Sequence, residues 1–198
     1  VLGAGSVGVQ ATTIAVGLGA IVLIADRNID SLRRVEARFG SRLNTIYSSR
    51  HAIEQNITRA DLVICAALVP GAKAPVLVTR QMLKIMKPGS VIVDVAIDQG
   101  GCCETSRPTS HAEPTYVVDD VIHYCVTNMP GVTPRTSTLA LNNATQPFVV
   151  ALATKGWRKA LQEDAGLRAG LEIIDGQLLS APVAAAHGFE LTEPDRYL

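Results

Sequence analysis

Apolar residues in this chain form short continuous runs, and between the runs they recur at helical spacing. Runs of about 4–8 apolar residues are typical of strands buried on both faces of a parallel sheet. Their alternation with helical segments predicts an α/β fold with a doubly wound parallel sheet. The predicted strands are Val1–Leu2, Ala20–Ala25, Leu43–Tyr47, Ala60–Leu68, Ser90–Ala96, Tyr116–Val118 and Ile122–Val126. The predicted helices between them are Val9–Leu18, Ile29–Phe39, His51–Ile57 and Thr79–Met86.

A glycine-rich turn, residues 3–8, follows the first predicted strand directly and opens the first helix. Its G-x-G-x-x-G spacing between strand and helix is typical of a Rossmann dinucleotide-binding domain. Gly3 allows the tight turn, Gly5 lets a pyrophosphate approach the backbone, and Gly8 lets the helix lie close to the strand. Val7 belongs to the same turn, where the N–H groups of the helix start favour bound phosphates.

The second predicted strand ends in Asp26, about 20 residues beyond the glycines, where a carboxylate accepts hydrogen bonds from the adenosine ribose. The alternative role for Asp26 is an N-cap of the next helix. Arg27 leaves a 2′-phosphate cofactor open, but the adjacent carboxylate would repel that phosphate. The pattern therefore favours NAD.

The composition excludes several classes of function. Apolar residues make up 47% of the chain, enough for a buried core. The 18 basic residues balance 18 acidic ones, so the charge indicates no nucleic-acid surface. The apolar stretch from Ile14 to Ala25 is too short for a membrane span and contains glycines. The cysteines and histidines show no metal-ligand spacing, and we assign no histidine to catalysis. We expect a reduced, cytoplasmic protein without a metal.

The character of the sequence changes from Asn128. A turn-rich link leads to a helix predicted over Ser137–Thr154, with a kink at Pro147. Beyond it, the pattern predicts one helical stretch, a turn at Asp175–Gly176 and a short helix through Ala184–Ala186. We therefore expect a Rossmann domain over residues 1–127, and an interdomain helix and a part that packs on a second domain over 128–198. Because the chain starts inside a strand without methionine, we expect it to be the C-terminal portion of a longer protein.

Ligands of open α/β sheets bind beyond the carboxyl ends of the strands, which ranks the polar residues. Asp98 lies just past a predicted strand, in a loop that can present it to a cofactor and substrate, whereas Asp94 lies within the strand and is interpreted as structural. Other strand ends are followed by Ser48, Ala67, Leu68, Asn128 and Met129. Ala67 and Leu68 suit the face of an adenine or ribose, and strand-end packing explains them equally well. Lys73 can reach an anionic group and Arg107 can pair with a phosphate or carboxylate, but a solvated position is the more common role of such loop residues.

Several longer stretches carry more specific motifs. They are Asp61–Ile64, Leu68–Pro75, Val93–Cys102, Ser106–Thr109, Asn128–Pro130, Thr136–Thr138 and Asn143–Thr145. On these motifs essentially the whole chain resembles the alanine dehydrogenase family. The resemblance implies reversible oxidative deamination of L-alanine to pyruvate and ammonia, with NAD as hydride acceptor, in a homohexamer.

The resemblance also implies roles for individual residues. The position matching Asp98 acts as a general acid and base, and that matching Asp26 holds the adenosine ribose. The position matching Ser31, where relatives can carry a basic residue, lies near the adenosine. The remaining implied cofactor contacts are Ser48, Ala67 and Leu68 on the adenine side, Val95, Ala96, Ile97, Val126, Thr127, Asn128 and Met129 beside the nicotinamide, and Arg107.

The family's substrate-binding arginine and lysine and its catalytic histidine come from an N-terminal segment outside this chain. We therefore expect the cofactor half and one catalytic carboxylate here, with residues 128–198 including part of the substrate domain. One alternative is the NAD-binding component of proton-translocating transhydrogenase, which shares the fold and the Asn-Met-Pro turn. Another is a non-catalytic NAD-binding module. The segments Asp98–Gly101 and Pro70–Pro75 favour the dehydrogenase.

Overall fold

The structure is a computed structural model that describes residues 1–69 and 72–192. Residues 70 and 71 of the predicted loop and 193–198 of the predicted C-terminal stretch lie outside the described residues. The chain divides into two compact units. The first comprises Val1–Val69 and Lys73–Met129, and the second contains the described residues from Pro130 onward.

Within the described residues, six strands and Leu2 form the sheet of the first unit. The strands are β1 (Val22–Asp26), β2 (Leu43–Tyr47), β3 (Leu62–Cys65), β4 (Val91–Asp94), β5 (Thr115–Val118) and β6 (Val121–Tyr124). Leu2 forms parallel bridges to Ala25 and Cys65, so the order is β2–β1–Leu2–β3–β4–β6–β5. Every strand pairing is parallel except that of β5 with β6. The predicted doubly wound sheet is confirmed.

Helices cover both faces of this sheet. They are α1 (Ser6–Gly17), α2 (Ile29–Phe39), α3 (Arg50–Ile57) and α4 (Arg80–Leu83). One apolar cluster joins Val22 and Ile24 of β1 to α2, with residues of α1 packed on it. A second cluster joins Ala25, on the opposite face of β1, to α3 and α4. Because successive strand residues point to opposite faces, β1 contributes to both clusters.

Side-chain caps explain where α2, α3 and α4 begin. Asn28 Oδ1 accepts from the N–H of Ser31 at 3.0 Å, and Ser49 Oγ accepts from the N–H of Ala52 at 3.1 Å. Thr79 Oγ1 caps α4 in the same way. Each bond satisfies one of the donors that the first helical turn leaves without an intrahelical acceptor. The predicted bounds of α2 and β2 agree with the structure.

Four predicted strands are longer than the observed ones, including Ile122–Val126, which is observed as β6 (Val121–Tyr124). The runs Ala20–Ala25, Ala60–Leu68 and Ser90–Ala96 were predicted, but the strands cover Val22–Asp26, Leu62–Cys65 and Val91–Asp94. After β4, residues Val95–Gln99 turn into a 3₁₀ helix. The β3–β4 ladder ends at the pair Cys65 and Asp94, so residues beyond it lack a strand partner.

The strands β5 and β6 form an antiparallel hairpin at the edge of the sheet. Asp119 and Asp120 link them, with φ angles of 49° and 61°. A two-residue link cannot cross over the sheet, so it imposes an antiparallel pairing. The apolar runs predicted both strands but not their antiparallel pairing.

The second unit is helical and carries one small hairpin among the described residues. Its elements are α5 (Pro134–Lys155), α6 (Trp157–Glu163), α7 (Ala165–Ala169), β7 (Ile173–Ile174), β8 (Gln177–Leu178) and α8 (Ala181–His187). The predicted single helix after Gly156 is wrong, because the chain is extended at Asp164, whose carboxylate caps α7 through the N–H of Leu167 at 2.9 Å. Asp175 and Gly176 form the turn between β7 and β8, as predicted.

Two glycines of α1 provide a matched test of helix–turn packing. A Cβ on Gly8 would overlap the carbonyl oxygen of Gly3, whereas a Cβ on Gly17 would meet open space. We expect Gly8→Ala to lower the free energy of unfolding by about 2 kcal/mol or more through overpacking. Gly17→Ala should leave it unchanged or raise it by about 0.5–1 kcal/mol. Urea denaturation measures both, and equal effects of the two substitutions would contradict this packing.

Candidate functional site

The glycine turn is pressed against the end of β3 and open on its other side. Gly3 has a φ of 110°, and a Cβ there would lie 2.6 Å from the carbonyl oxygen of Ala66. Gly5 is exposed, and a Cβ on it would meet no atom within 4 Å. Gly5 also precedes α1 without a side-chain cap, and the first turn of α1 has no acidic residue. Its N–H groups, beside the exposed Val7, are therefore available to an anion.

Asp26 is hydrogen-bonded to the glycine turn. Its Oδ2 accepts from the N–H of Ala4 at 2.6 Å, and its Oδ1 accepts from the N–H of Asn28 at 2.7 Å. The N-cap of α2 is Asn28, so the alternative role of Asp26 as N-cap of that helix is wrong. Ser31 lies in the first turn of α2, where its Oγ accepts from Arg34 at 2.9 Å. The Asp26 carboxylate at the end of β1 is thus held beside the glycine turn, next to the open space at Gly5.

The ends of β2 and β3 lie on either side of these groups. The N–H of Ser48 donates to the carbonyl of Asp26 at 2.9 Å, and the N–H of Ala66 donates to the carbonyl of Leu2 at 2.7 Å. The carbonyl of Ala67 accepts from Cys102 Sγ at 3.5 Å. Leu68 follows as an exposed residue of the loop. Parallel pairing therefore brings the predicted adenine-side residues to the same edge as the glycine turn.

Asp98 lies at the next strand end, in the 3₁₀ helix Val95–Gln99 rather than in the loop that was expected. Its side chain is exposed, while Ala96 and Ile97 beside it are buried and Val95 is half-buried. The N–H of Asn128 points at its carboxylate, 3.3 and 3.4 Å from the two oxygens. This contact joins the end of β4 to the segment after β6, as the shared sheet edge predicts.

The segment that follows β6 is tied to the chain before β5. Val126 is buried and bridges Thr109, and the N–H of Thr127 donates to the carbonyl of Thr109 at 3.1 Å. Asn128 has a φ of 50°, in the left-handed region that asparagine tolerates better than most residues. In this conformation its N–H meets the Asp98 carboxylate. Met129 is the last residue of the first unit and the first residue of a 3₁₀ helix, Met129–Val132.

Arg107 lies over the ring of Tyr116 on the edge hairpin. Its Cζ is 4.1 Å from the ring centroid, and its N–H donates to the Tyr116 hydroxyl at 2.8 Å. The structure thus gives this exposed arginine a protein partner that the sequence did not reveal. Its predicted contact with the cofactor stays a prediction.

Asp94 is the important residue whose partners sequence reasoning missed. The side chain is fully buried at the end of β4, consistent with its interpretation as structural. Its Oδ2 accepts from the N–H groups of Cys102 and Cys103 and from Ser106 Oγ. The glycine pair before Cys102 was the available signal, because Gly101 adopts a φ of 80° next to this carboxylate.

Among the described residues, no group of three or more histidine, cysteine, aspartate or glutamate side chains could hold a metal ion. None of the helices in the described residues combines the length and the hydropathy that a membrane span requires. Cys65, Cys102, Cys103 and Cys125 are buried free thiols. Burial and the nearby Asp94 raise the pKa of Cys102 to about 12, so this thiol is not an activated nucleophile.

Comparison with known proteins identifies the family to which the chain belongs. The family model described as "Alanine dehydrogenase/PNT, C-terminal domain" matches residues 1–181. The chain belongs to this family. The resemblance inferred from the motifs is confirmed.

Relatives in this alanine dehydrogenase/PNT family cover the chain almost fully. It is 58% identical over 193 residues to the alanine dehydrogenase of Halomonas elongata, and 50% identical over 199 residues to that of Bacillus subtilis. These alignments cover 98% and 100% of the chain, but only 52% and 53% of the relatives. The chain thus spans about half the length of the curated relatives it matches.

Solved structures show the same relationship. An L-alanine dehydrogenase structure superposes with a TM-score of 0.84 at 50% identity, covering 94% of this chain and 52% of the other. The transhydrogenase of Sinorhizobium meliloti gives a TM-score of 0.62 at 36% identity, covering 70% of this chain and 39% of the other. The α/β fold is that of the family, and the dehydrogenase is the more similar of the two structures.

His123 provides a pH test of the hairpin beside the site. It is buried on β6, its Nδ1 donates to the carbonyl of Val121 at 3.0 Å, and its Nε2 lies 2.8 Å from Thr105 Oγ1. Burial lowers the pKa of His123, and the hydrogen bond to Val121 and the charge of Asp94 oppose that shift only in part. The unfolded chain therefore takes up a proton near a pH of about 6.5, whereas the folded protein does so only at lower pH.

We expect this difference to reduce stability as the pH falls from about 6.5 towards the lower folded pKa, by at most about 1.4 kcal/mol per pH unit. His123→Gln should flatten the dependence of the free energy of unfolding on pH between about 7 and 5, measured by urea denaturation. His111→Gln, which changes an exposed histidine, is the control. A wild-type slope in His123→Gln would show that another group takes up the proton.

Proposed function

We propose that this chain is the NAD-binding portion of an alanine dehydrogenase, which oxidatively deaminates L-alanine to pyruvate and ammonia and catalyses the reverse reaction. One observation carries the proposal: three groups lie at strand ends along one edge of a parallel sheet. They are the opening at Gly5, the Asp26 carboxylate and the exposed Asp98. The identities of 50–58% to proteins named alanine dehydrogenase support the choice of substrate.

The residues of this edge fit NAD by their chemistry. Gly5 leaves room for a diphosphate at the uncapped start of α1, and a carboxylate such as Asp26 accepts hydrogen bonds from ribose hydroxyls. When bound, NAD supplies a nicotinamide ring that accepts hydride. The proposed contacts are Gly3, Gly5, Val7 and Gly8 for the diphosphate, Asp26 and Ser31 for the adenosine, Ser48, Ala67 and Leu68 for the adenine, Val95, Ala96, Ile97, Asp98, Val126, Thr127, Asn128 and Met129 for the nicotinamide half, and Arg107.

Asp98 is the proposed catalytic residue of this chain. An exposed carboxylate can take a proton from water that attacks an imino acid and return it in the reverse direction, which is general acid and base catalysis. The N–H of Asn128 fixes the carboxylate oxygens without burying them. Asp98 therefore stays open to solvent while its position is held from two strand ends.

The rest of the enzyme follows from the same proposal. Residues 1–127 are the Rossmann domain, and residues 128–198 contribute the interdomain helix and part of the substrate domain. The groups that bind alanine come from outside this chain. We further propose a homo-oligomeric, hexameric, cytoplasmic enzyme whose partners are small molecules rather than nucleic acid or membrane.

A transhydrogenase component is the second candidate, because the Sinorhizobium meliloti transhydrogenase shares the fold at 36% identity. Such a protein hands hydride to another nucleotide-binding component and needs no amino-acid pocket. Alanine-dependent reduction of NAD by the complete protein distinguishes the two. A non-catalytic NAD-binding module would bind the cofactor and lack both activities.

Cofactor binding can be tested with this chain alone. We expect it to bind NADH in a fluorescence titration and to prefer it to NADPH. Asp26→Ala should weaken NADH binding by about 10–100-fold, because a hydrogen bond to a charged group contributes about 1.5–3 kcal/mol. Asp61→Ala removes a carboxylate that is 85% exposed and paired with Lys87, and should leave the affinity unchanged. Equal affinities in both variants would argue against the assignment of Asp26.

Catalysis needs the complete protein. We expect Asp98→Asn to lower kcat for alanine-dependent NADH formation by about 10²–10⁴-fold, the usual contribution of a general acid and base. Affinity for NADH should change only a few-fold, and this chain alone should form no NADH from alanine. Turnover is followed at the absorbance of NADH. An unimpaired Asp98→Asn enzyme would remove Asp98 from the mechanism, and turnover by the chain alone would contradict its proposed role as a cofactor portion.

A further inference from the structure

The carboxylate of Asp94 closes the segment that carries Asp98. Asp94 is the last residue of β4, and the segment from Val95 to Gly101 follows it. The chain then returns, so that Asp94 Oδ2 accepts from the N–H of Cys102 at 2.8 Å, the N–H of Cys103 at 3.1 Å and Ser106 Oγ at 2.6 Å. One oxygen atom therefore holds both ends of the segment together.

The backbone packs against this oxygen as closely as it can. A Cβ on Gly101 would lie 2.8 Å from Asp94 Oδ2 and 2.9 Å from the Cβ of Ser106. Within the segment, the N–H of Gly101 donates to the carbonyl of Ala96 at 3.0 Å. The turn is thus closed internally and fixed to the carboxylate, which leaves the 3₁₀ helix between them little freedom.

Stability alone is a poor explanation for this carboxylate. Asp94 is fully buried, and its Oδ1 has no hydrogen-bond partner among the described residues. Burying a charge with one oxygen unpaired costs more than burying an apolar side chain of similar size. Hydrogen bonds to an ionised acceptor, however, are shorter and about twice as strong as those between neutral groups. A carboxylate therefore suits a position that must hold the backbone in one arrangement.

The same group also acts on the neighbouring strand end. Cys102, held by Asp94 through its N–H, donates from its Sγ to the carbonyl of Ala67 at 3.5 Å. Residues 66 and 67 in turn lie against Gly3 of the glycine turn. The side-chain network of Asp94 thus reaches the end of β3 through a weak thiol contact, and the backbone of Asp94 pairs with Cys65 of the same strand.

We propose that Asp94 is a positioning residue: its carboxylate holds the segment from Val95 to Gly101 in the arrangement that receives the nicotinamide half of NAD and presents Asp98. This inference rests on the proposed function. The adenosine half is received by Asp26 and the glycine turn, whose hydrogen bonds do not include Asp94. Loss of the Asp94 charge should therefore weaken binding of the nicotinamide half of NAD and leave binding of the adenosine half unchanged.

Asp94→Asn tests this separation in the chain itself. The amide keeps the shape and one acceptor oxygen for the N–H groups and removes the charge that makes those bonds strong. We expect NADH affinity to fall by at least about tenfold, whereas ADP-ribose, which lacks the nicotinamide, should bind within about twofold of wild type. Titration calorimetry with both ligands measures the ratio of the NADH affinity to the ADP-ribose affinity. Retained ADP-ribose binding shows that the variant is folded.

Ser106→Ala is a milder variant that keeps the charge and removes one of the three bonds. It should shift the same ratio in the same direction by about threefold. Asp61→Asn, an exposed carboxylate before β3, should shift neither ligand. Equal loss of both ligands in Asp94→Asn would show a merely structural role and overturn the proposal, as would unchanged binding of both. A wild-type chain that fails to bind NADH would instead overturn the proposed function, and this inference with it.

Discussion

Backbone pairing at Leu2 is the interaction on which the remainder of the first unit depends. Its N–H donates to Ile64 at 2.8 Å, its carbonyl accepts from Ala66 at 2.7 Å, and the N–H of the following Gly3 donates to Ala25 at 2.8 Å. These bonds join two sets of strands into one sheet and align their carboxyl ends. A turn at Gly3 is then forced to emerge between the ends of β1 and β3, where a ligand of a parallel sheet binds.

Three aspartates at this edge differ in environment and therefore in what they can do. Asp26 and Asp94 both accept backbone N–H groups and hold a neighbouring segment in place, but Asp26 stays partly exposed while Asp94 is fully buried. Asp98 has its oxygens near a single N–H and faces solvent. A carboxylate with spare acceptor capacity and access to water suits proton transfer, and one that is buried and hydrogen-bonded suits support.

Local patterns predicted most of the fold, because caps and apolar runs act over a few residues. The bounds of α2 agree since Asn28 and Gly40 mark its ends, whereas the break at Asp164 was missed because the helical pattern continues across it. The glycines and Asp26 were located by their spacing. The contact of Asp98 with Asn128 spans 30 residues and depends on strand order and a left-handed backbone, which no local pattern contains. Which residues touch a cofactor stays a prediction.

The hairpin of β5 and β6 at the edge of the sheet affects the dynamics of the site. β5, like β2 at the opposite edge, pairs on one side only, so fewer backbone hydrogen bonds hold it in the sheet than hold an interior strand. The segment from Thr127 to Met129 leaves the sheet directly after β6, and it brings the N–H that meets Asp98. Opening of β6 at its end would therefore also displace the N–H that meets Asp98. A ligand seated there would slow amide hydrogen exchange across both strands, far from any atom it touches.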